Sequence, residues 1–418
     1  MSVLGGGNET VQRRSGFGQN PEVGRRGRMT QERILAAAIE AFGEFGFADT
    51  QVEQITQRAN CSRPTFYQYF PSKEALFERL AGRLGASLTA LTASVPDIEP
   101  TTAARDRLRP WVADLVALHR RQAPIFAAFR PALRGDPKMM AAASELTLGH
   151  GLALTRAVRP RPPHAADAEV LGALVMTMLT STLSFLDSAL VEVDDEGTVD
   201  QLTDVLWFGL TDLGGTPPIT AKFPTPRRSV DRTSRPQPGA RQQLIDAAAV
   251  VFPALGWQNT RVDDLVAQAG VAHGTFYRYF DDKGDLFALV AERAAERMLT
   301  QLEDLPAALE TESVAPWAER WITSFLADGA LFSVWFETAR AEEISQRIAS
   351  EALGHIGRVT GADGRQRPVL ALALLALLEW APYLVANFPG FDERRTRGAM
   401  TLLLARFSAH LTGGTDQR

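Results

Sequence analysis

Thr65-Phe66-Tyr67-Gln68-Tyr69-Phe70 returns, with one change, as Thr275-Phe276-Tyr277-Arg278-Tyr279-Phe280. The match continues on both sides at a constant offset of 210 residues. Ala37, Ala38, Phe42 and Gly46 return as Ala247, Ala248, Phe252 and Gly256. Thr50, Val52 and Ala59 return as Thr260, Val262 and Ala269. Lys73, Leu76 and Phe77 return as Lys283, Leu286 and Phe287. The repeated residues are chemically diverse and need no gap, which excludes a low-complexity origin. A period this long means a duplicated domain rather than a solenoid of short units.

A chain of 418 residues divides naturally into two halves, each large enough to bury a core. The formal charge is −5, so the total gives no hint of nucleic acid. The local charge does. Arg13, Arg14, Arg25, Arg26 and Arg28 precede the first repeat, and Arg227, Arg228, Arg232, Arg235 and Arg241 lead into the second. These arms also read as solvated tails, and the two readings are compatible. Cys61 is the single cysteine, which suits a reducing compartment. The N-terminus has no apolar signal core. The longest strongly apolar run, Val369 to Leu378, is far short of the roughly 20 residues a spanning helix needs. A soluble cytoplasmic protein without membrane contact is expected.

Helical spacing starts at Met29, with Ile34, Leu35, Ala38, Phe42 and Phe45 as the apolar stripe. Thr50 with Glu53 reads as the cap of a short second helix, and Ser62 as the cap of a third over Arg63 to Tyr69. Pro71 ends that helix and a fourth follows. Further helices are expected over 101–121, 123–133, 137–157, 165–190 and 197–213. The second half repeats the plan, with helices over 315–328, 329–341, 342–356, 366–388 and 391–411. No segment alternates with period two, so the fold class is all-α. The expected organisation is a disordered basic arm (1–28), a first module (29–80), a helical domain (81–213), a Pro/Arg-rich linker (214–239), a second module (240–290), a second helical domain (291–411) and a tail (412–418). Pro110–Trp111 and Pro316–Trp317 occupy comparable places in the two helical domains.

Two short helices joined by a tight turn read as a helix-turn-helix. On the third helix Phe66 and Phe70 share the core face, and Pro64 and Gln68 point the other way. Arg63 sits in the first turn, where a recognition helix meets base edges, and its guanidinium can pair bidentately with guanine. Tyr67 lies about 100° round the helix from Phe66, an exposed position. Tyr69 lies nearer the core. Lys73, beside the N-terminal amides of the fourth helix, suits a phosphate. Thr50 and Thr260 read either as helix caps or as phosphate donors.

The pattern Thr-x-Val-x-x-Ile, Ala-x-x-Ser-x-x-Thr-Phe-Tyr-x-Tyr-Phe-x-x-Lys-x-x-Leu-Phe resembles the DNA-binding region of TetR-type transcriptional regulators over about 29–80 and 239–290. The resemblance implies two fused units, each a DNA-binding module followed by a helical ligand-binding and dimerisation bundle. It puts Arg63, Pro64, Thr65 and Tyr67 in the major groove and Thr50, Tyr69 and Lys73 on phosphates. In the second module it puts His273, Gly274, Thr275 and Tyr277 in the groove and Thr260, Arg278, Tyr279 and Lys283 on the backbone. The helices over 165–190, 197–213, 366–388 and 391–411 would form the dimer interface, here within one chain. The second module departs from the first: Pro253 should kink its first helix, Ala272 replaces the Ser62 cap, and Gly284 loosens the fourth helix.

Nothing else carries chemistry. The six histidines make no metal-ligand pattern, and no cofactor or catalytic constellation is expected. Large side chains in the helical domains (Trp111, Phe126, Phe129, Met176, Trp317, Trp321, Phe325 and Trp335) are core residues or the walls of an apolar ligand pocket, and sequence does not separate the two. The expected function is a DNA-binding transcriptional regulator, a repressor, with two non-identical recognition helices and control by a small apolar ligand. Its partners would be a double-stranded operator, that ligand, and its own other half in a pseudo-dimer, alone or paired with a second such chain. The competing reading is a ligand-binding or adaptor protein whose modules do not bind DNA specifically.

Overall fold

The computed structural model describes residues 24–133, 136–160, 165–188, 191–211, 239–310, 314–335, 340–360 and 367–413. They form two units: residues up to Ser87 with Gln122–Asp136, and Leu88–Arg121 with Pro137 onward. Among the described residues there is no strand, only a parallel bridge between Ile98 and Val158. The all-α expectation holds.

In the first unit α1 spans Arg25–Asp49, so Arg25, Arg26 and Arg28 of the expected arm are already helical. Arg13 and Arg14 lie outside the described residues. Ile34, Leu35, Ala38, Ala41 and Phe42 face the core as their spacing requires. Phe45 does not. Gly46 takes φ 75°, open to glycine and costly for other residues, and the chain turns there. Phe47 thereby enters the core in place of Phe45 and packs edge-on to Phe42 with centroids 5.3 Å apart. Phe45 is left half-exposed beneath the Arg58 guanidinium.

The short helices α2 (Val52–Arg58) and α3 (Arg63–Tyr69) follow, then α4 (Lys73–Ala93). Residues 101–133, expected as two helices, form one, α5 (Thr102–Leu133). Pro124 gives up one backbone hydrogen bond without breaking it. Its ring lies where a side chain at Gly43 would sit, 3.2 Å from that residue's would-be Cβ.

The second unit contains α6 (Pro137–Arg156), α7 (Ala165–Asp187) and α8 (Asp195–Leu210), the last capped by Asp194. The linker expected over 214–239 lies outside the described residues apart from Gly239. The second module is α9 (Ala240–Asn259), α10 (Val262–Ala269), α11 (His273–Phe276) and α12 (Lys283–Glu303). Pro253 lies inside α9 but is not where the chain departs from helix. The departure is at Gly256, φ 76°, the repeat of Gly46. Then come α13 (Leu305–Glu310), α14 (Val314–Trp335), α15 (Arg340–Thr360), α16 (Pro368–Asn387) and α17 (Glu393–Gly413). α14 runs through Gly329, where a break between two helices was expected.

α7, α8, α16 and α17 pack against one another. The Gln201 side chain on α8 accepts from the amides of Val369 and Leu370 at 3.1 and 3.3 Å, covering the N-terminus of α16. Phe208 meets Phe407 edge-on at 4.7 Å, Arg406 donates to the Gly209 carbonyl, and Arg395 pairs with Glu169 at 2.6 Å. Leu174 and Leu374 are buried. Segments Ala168–Asp187 and Pro368–Asn387 are each 20 residues long with mean hydropathy 1.6 and 2.0, which corrects the expectation that no stretch reaches spanning length. Two-thirds of each is buried in the fold, as core helices of a bundle are.

Candidate nucleic-acid interface

The turn before each recognition helix needs a residue that tolerates a left-handed backbone. Asn60 supplies φ 46° in the first module and Gly270 φ 68° in the second. The Ser62 hydroxyl then accepts from the Thr65 amide at 3.2 Å and lies 2.9 Å from the Thr65 hydroxyl, so α3 starts on a proper cap and runs seven residues. Ala272 offers no such bond, and α11 is helical for only four residues. Tyr277, Arg278 and Tyr279 therefore lie in a turn rather than on a helix.

Phe66 and Phe276 are fully buried, as the wheel requires. Arg63, Pro64, Tyr67 and Gln68 are exposed, with Thr65 and Tyr69 half-buried. His273, Gly274, Tyr277, Arg278 and Tyr279 are exposed and Thr275 is half-buried. Tyr67 and Tyr277, 45% and 53% exposed, present their rings to solvent despite being large aromatics. Each first-turn residue also has an acidic neighbour that sequence reasoning missed. Arg63 pairs with Glu53. His273 Nε2 lies 3.2 Å from Asp263. Glu53 and Asp263 are themselves one repeat apart, and that shared offset was the available signal. The Tyr67 hydroxyl and Glu53 hold the Arg63 guanidinium above its ordinary range.

The capping expectation needs correction. Thr50 is not the cap of α2; Gln51 fills that place, its amide donating to the Gln54 side chain at 2.6 Å. The Thr50 hydroxyl instead donates to the carbonyls of Gly46 and Ala41 at 2.6 and 3.2 Å, in a residue 1% exposed. Thr260 does the same to Gly256 at 2.7 Å. These hydroxyls close the C-terminus of the first helix. Lys73 also turns inward. Its Nζ donates to the carbonyls of Phe47, Ala48 and Thr50 at 2.7, 3.1 and 3.0 Å and sits 4.7 Å over the Phe47 ring. Burial pushes the ammonium below its ordinary value, while Glu74 and Asp49 pull it back. Lys283 repeats the arrangement on Trp257 and Thr260, 4.6 Å over the Trp257 ring. Cations at a helix C-terminus are favoured by its unpaired carbonyls and dipole.

Most of the residues read as core or as the walls of an apolar pocket are deeply buried. Trp111, Met176, Trp317, Trp321 and Phe325 are buried core. Phe126 and Phe129 are half-buried on the last turns of α5, Phe129 edge-on to Phe77 at 6.3 Å. The Trp335 side chain lies outside the described residues. A cavity of about 490 Å³ is found elsewhere, among His119, Leu183, Asp187, Val193 and Thr198. No cluster of three metal-ligating side chains occurs among the described residues.

Comparison with known proteins follows these two modules. The profile of the bacterial regulatory proteins of the tetR family matches residues 34–80 and again 244–290. The HTH-type transcriptional regulator RutR of Escherichia coli K12 is 38% identical over 80 residues, 19% of this chain, and the match spans only 38% of that protein's length. The uncharacterized HTH-type transcriptional regulator MT1294 of Mycobacterium tuberculosis is 31% identical over 168 residues, 38% of this chain and 78% of that protein. The HTH-type transcriptional repressor SCO4008 of Streptomyces coelicolor is 24% identical over 161 residues, 35% of this chain and 81% of that protein. With the family profile falling on both helix-turn-helix modules, and a relative matched over most of its length, the chain belongs to the tetR family of bacterial regulatory proteins.

Proposed function

We propose that this protein is a cytoplasmic transcriptional repressor that binds double-stranded operator DNA through two unequal reading heads carried on one chain. The observation that carries the reading is the pair of exposed first turns, Arg63-Pro64-Thr65 and His273-Gly274-Thr275, each followed by an exposed tyrosine on a buried phenylalanine. A permanently charged planar fork in one head favours guanine. A histidine in the other offers single hydrogen bonds and a weaker preference. The operator is therefore asymmetric, with a strict and a permissive half-site. The packing of α7 and α8 on α16 and α17 supports a pseudo-dimer in which one chain replaces the usual pair. Similarity to the transcriptional repressor of Streptomyces coelicolor supports repression.

A gel-shift titration with DNA upstream of the reading frame, across a salt series, tests this. Specific binding should weaken with salt at a log–log slope of about −0.9 per neutralised phosphate. Arg63→Ala should cost roughly 1–3 kcal/mol at the preferred site and relax it at one base position. Equal affinity for all fragments at low salt would favour the adaptor reading instead. The four-residue α11 supports that second reading for the second module alone. In that case His273→Ala would leave operator affinity unchanged.

A further inference from the structure

The two helical domains begin with the same anchor. Trp111 Nε1 donates to the Leu91 carbonyl at 2.7 Å, and Trp317 Nε1 to the Gln301 carbonyl at 3.0 Å. Leu91 and Gln301 are themselves one repeat apart, so the tryptophans are equivalent points on α5 and α14. Counting on from them, one turn later the first half has Leu115 and the second Trp321. After two turns the first half has His119 and the second Phe325. In the second half these positions are filled. Trp321 stacks on Trp317 at 5.3 Å and donates to the Leu378 carbonyl at 2.8 Å, and both Trp321 and Phe325 are 3% exposed. In the first half Leu115 is likewise buried, and His119 borders open space. A cavity of about 490 Å³ lies beside His119, between the end of α7 and the start of α8.

We propose that this cavity is an effector site, and that it takes a small organic cation, a protonated amine on an apolar body. The idea that such a ligand acts as an effector rests on the regulator reading; the site and its chemistry do not. Leu183, Leu186, Val191 and Val193 supply apolar wall. Asp187 and Glu192 supply carboxylates at the polar end. Arg120 also lines the space, but both carboxylate oxygens of Asp195 grip its guanidinium. His119, 1% exposed, reaches the Ser184 hydroxyl through Nε2 at 3.1 Å and stands 3.7 Å from Asp187 through Nδ1. Burial, with the nearby Arg120 charge, pushes its imidazole down to about 4, so it adds no positive charge at neutral pH. Burial raises the Asp187 carboxyl, and an arriving cation would offset the cost of keeping it ionised. The volume falls within the range of small-molecule sites, and apolar walls with a few placed polar groups are their usual make-up.

The experiment is calorimetric titration of the full chain, without DNA, using phenethylamine and its matched anion hydrocinnamate. The amine should bind and the anion should not. Asp187→Asn should weaken the amine at least tenfold, and Glu192→Gln, a change in an exposed position, should weaken it severalfold. His119→Phe, which copies the second half, should abolish binding while the chain melts at or above its original temperature. Equal binding of the anion, or undiminished affinity in both carboxamide variants, would overturn the proposal. Because no DNA is present, those failures leave the operator-binding reading intact. A failed gel shift with normal calorimetry would remove that reading and leave the site.

Discussion

Lys73→Met separates two roles for one ammonium. The substitution keeps the aliphatic stem and removes three donors, so the carbonyls of Phe47, Ala48 and Thr50 lose partners at 2.7, 3.1 and 3.0 Å. Hydrogen bonds involving a charge contribute about 1.5–3 kcal/mol each when well buried. Lys73 is only half-buried, and water can reach the Ala48 carbonyl, so one full bond's worth is the better measure. The cation over the Phe47 ring adds about 0.5–1 kcal/mol at such a site. The expected loss is about 2–3 kcal/mol in the closure of α1 onto the turn before α2. At roughly tenfold per 1.4 kcal/mol, amide protection in Phe47–Gln51 should fall at least twentyfold in hydrogen-exchange measurements on the full chain. The salt slope of operator binding should stay as it was, because the ammonium faces the protein. Unchanged protection together with a slope shallower by about 0.9 would show that Lys73 grips a phosphate and that the inward geometry is wrong.

Ala272→Ser should restore the missing cap, lengthen α11 and stabilise the second module by about 1 kcal/mol, read as a later urea midpoint. His119, with a folded value of about 4 against an ordinary 6.5, makes stability pH-dependent. The unfolded chain takes up the proton first, so stability is whole above about pH 6.5 and declines as pH falls toward 4, by roughly 3 kcal/mol. Urea midpoints across that range should show the decline in the native chain and a flatter limb in His119→Phe. Leu374→Arg places an unpaired charge where exposure is 0%, and should destabilise the four-helix packing by several kcal/mol. Light scattering that still shows a folded particle of one chain, with an unmoved urea midpoint, would contradict that.

The repeat made the fold legible, because a hexapeptide and its flanks at one offset fix both modules together. The core face of α3 was readable from Phe66 and Phe70, and the weak start of α11 from the loss of Ser62. What failed was local choice among polar side chains. Thr50 followed by Glu53 looks like a cap box, yet Gly46 turns the chain so that Thr50 closes the preceding helix instead. Nothing in the spacing shows that Lys73 reaches back 26 residues to Phe47. Breaks were expected near residue 122 and between 328 and 329, but α5 and α14 each run through unbroken. Trp111, Trp317, Trp321 and Phe325, read as core or pocket walls, are buried, while a cavity lies beside a histidine that no pattern singled out. Cavities are set by the volume left over between elements, and a sequence encodes that only through comparison of Leu115 and His119 with Trp321 and Phe325.

On the pseudo-dimer reading proposed above, the packing of α7 and α8 against α16 and α17 within one chain would also free the pairing of the two heads from dilution. Two separate chains must meet before they can present paired heads, so their pairing fails as copy number falls. Tethered partners face each other at an effective concentration on the order of millimolar, whatever the number of molecules in the cell. A handful of copies, shared out unevenly at division, would each arrive complete. On the same reading mixed pairing with related regulators would be disfavoured, since Gln201, Arg395 and Arg406 already hold partners on the same polypeptide.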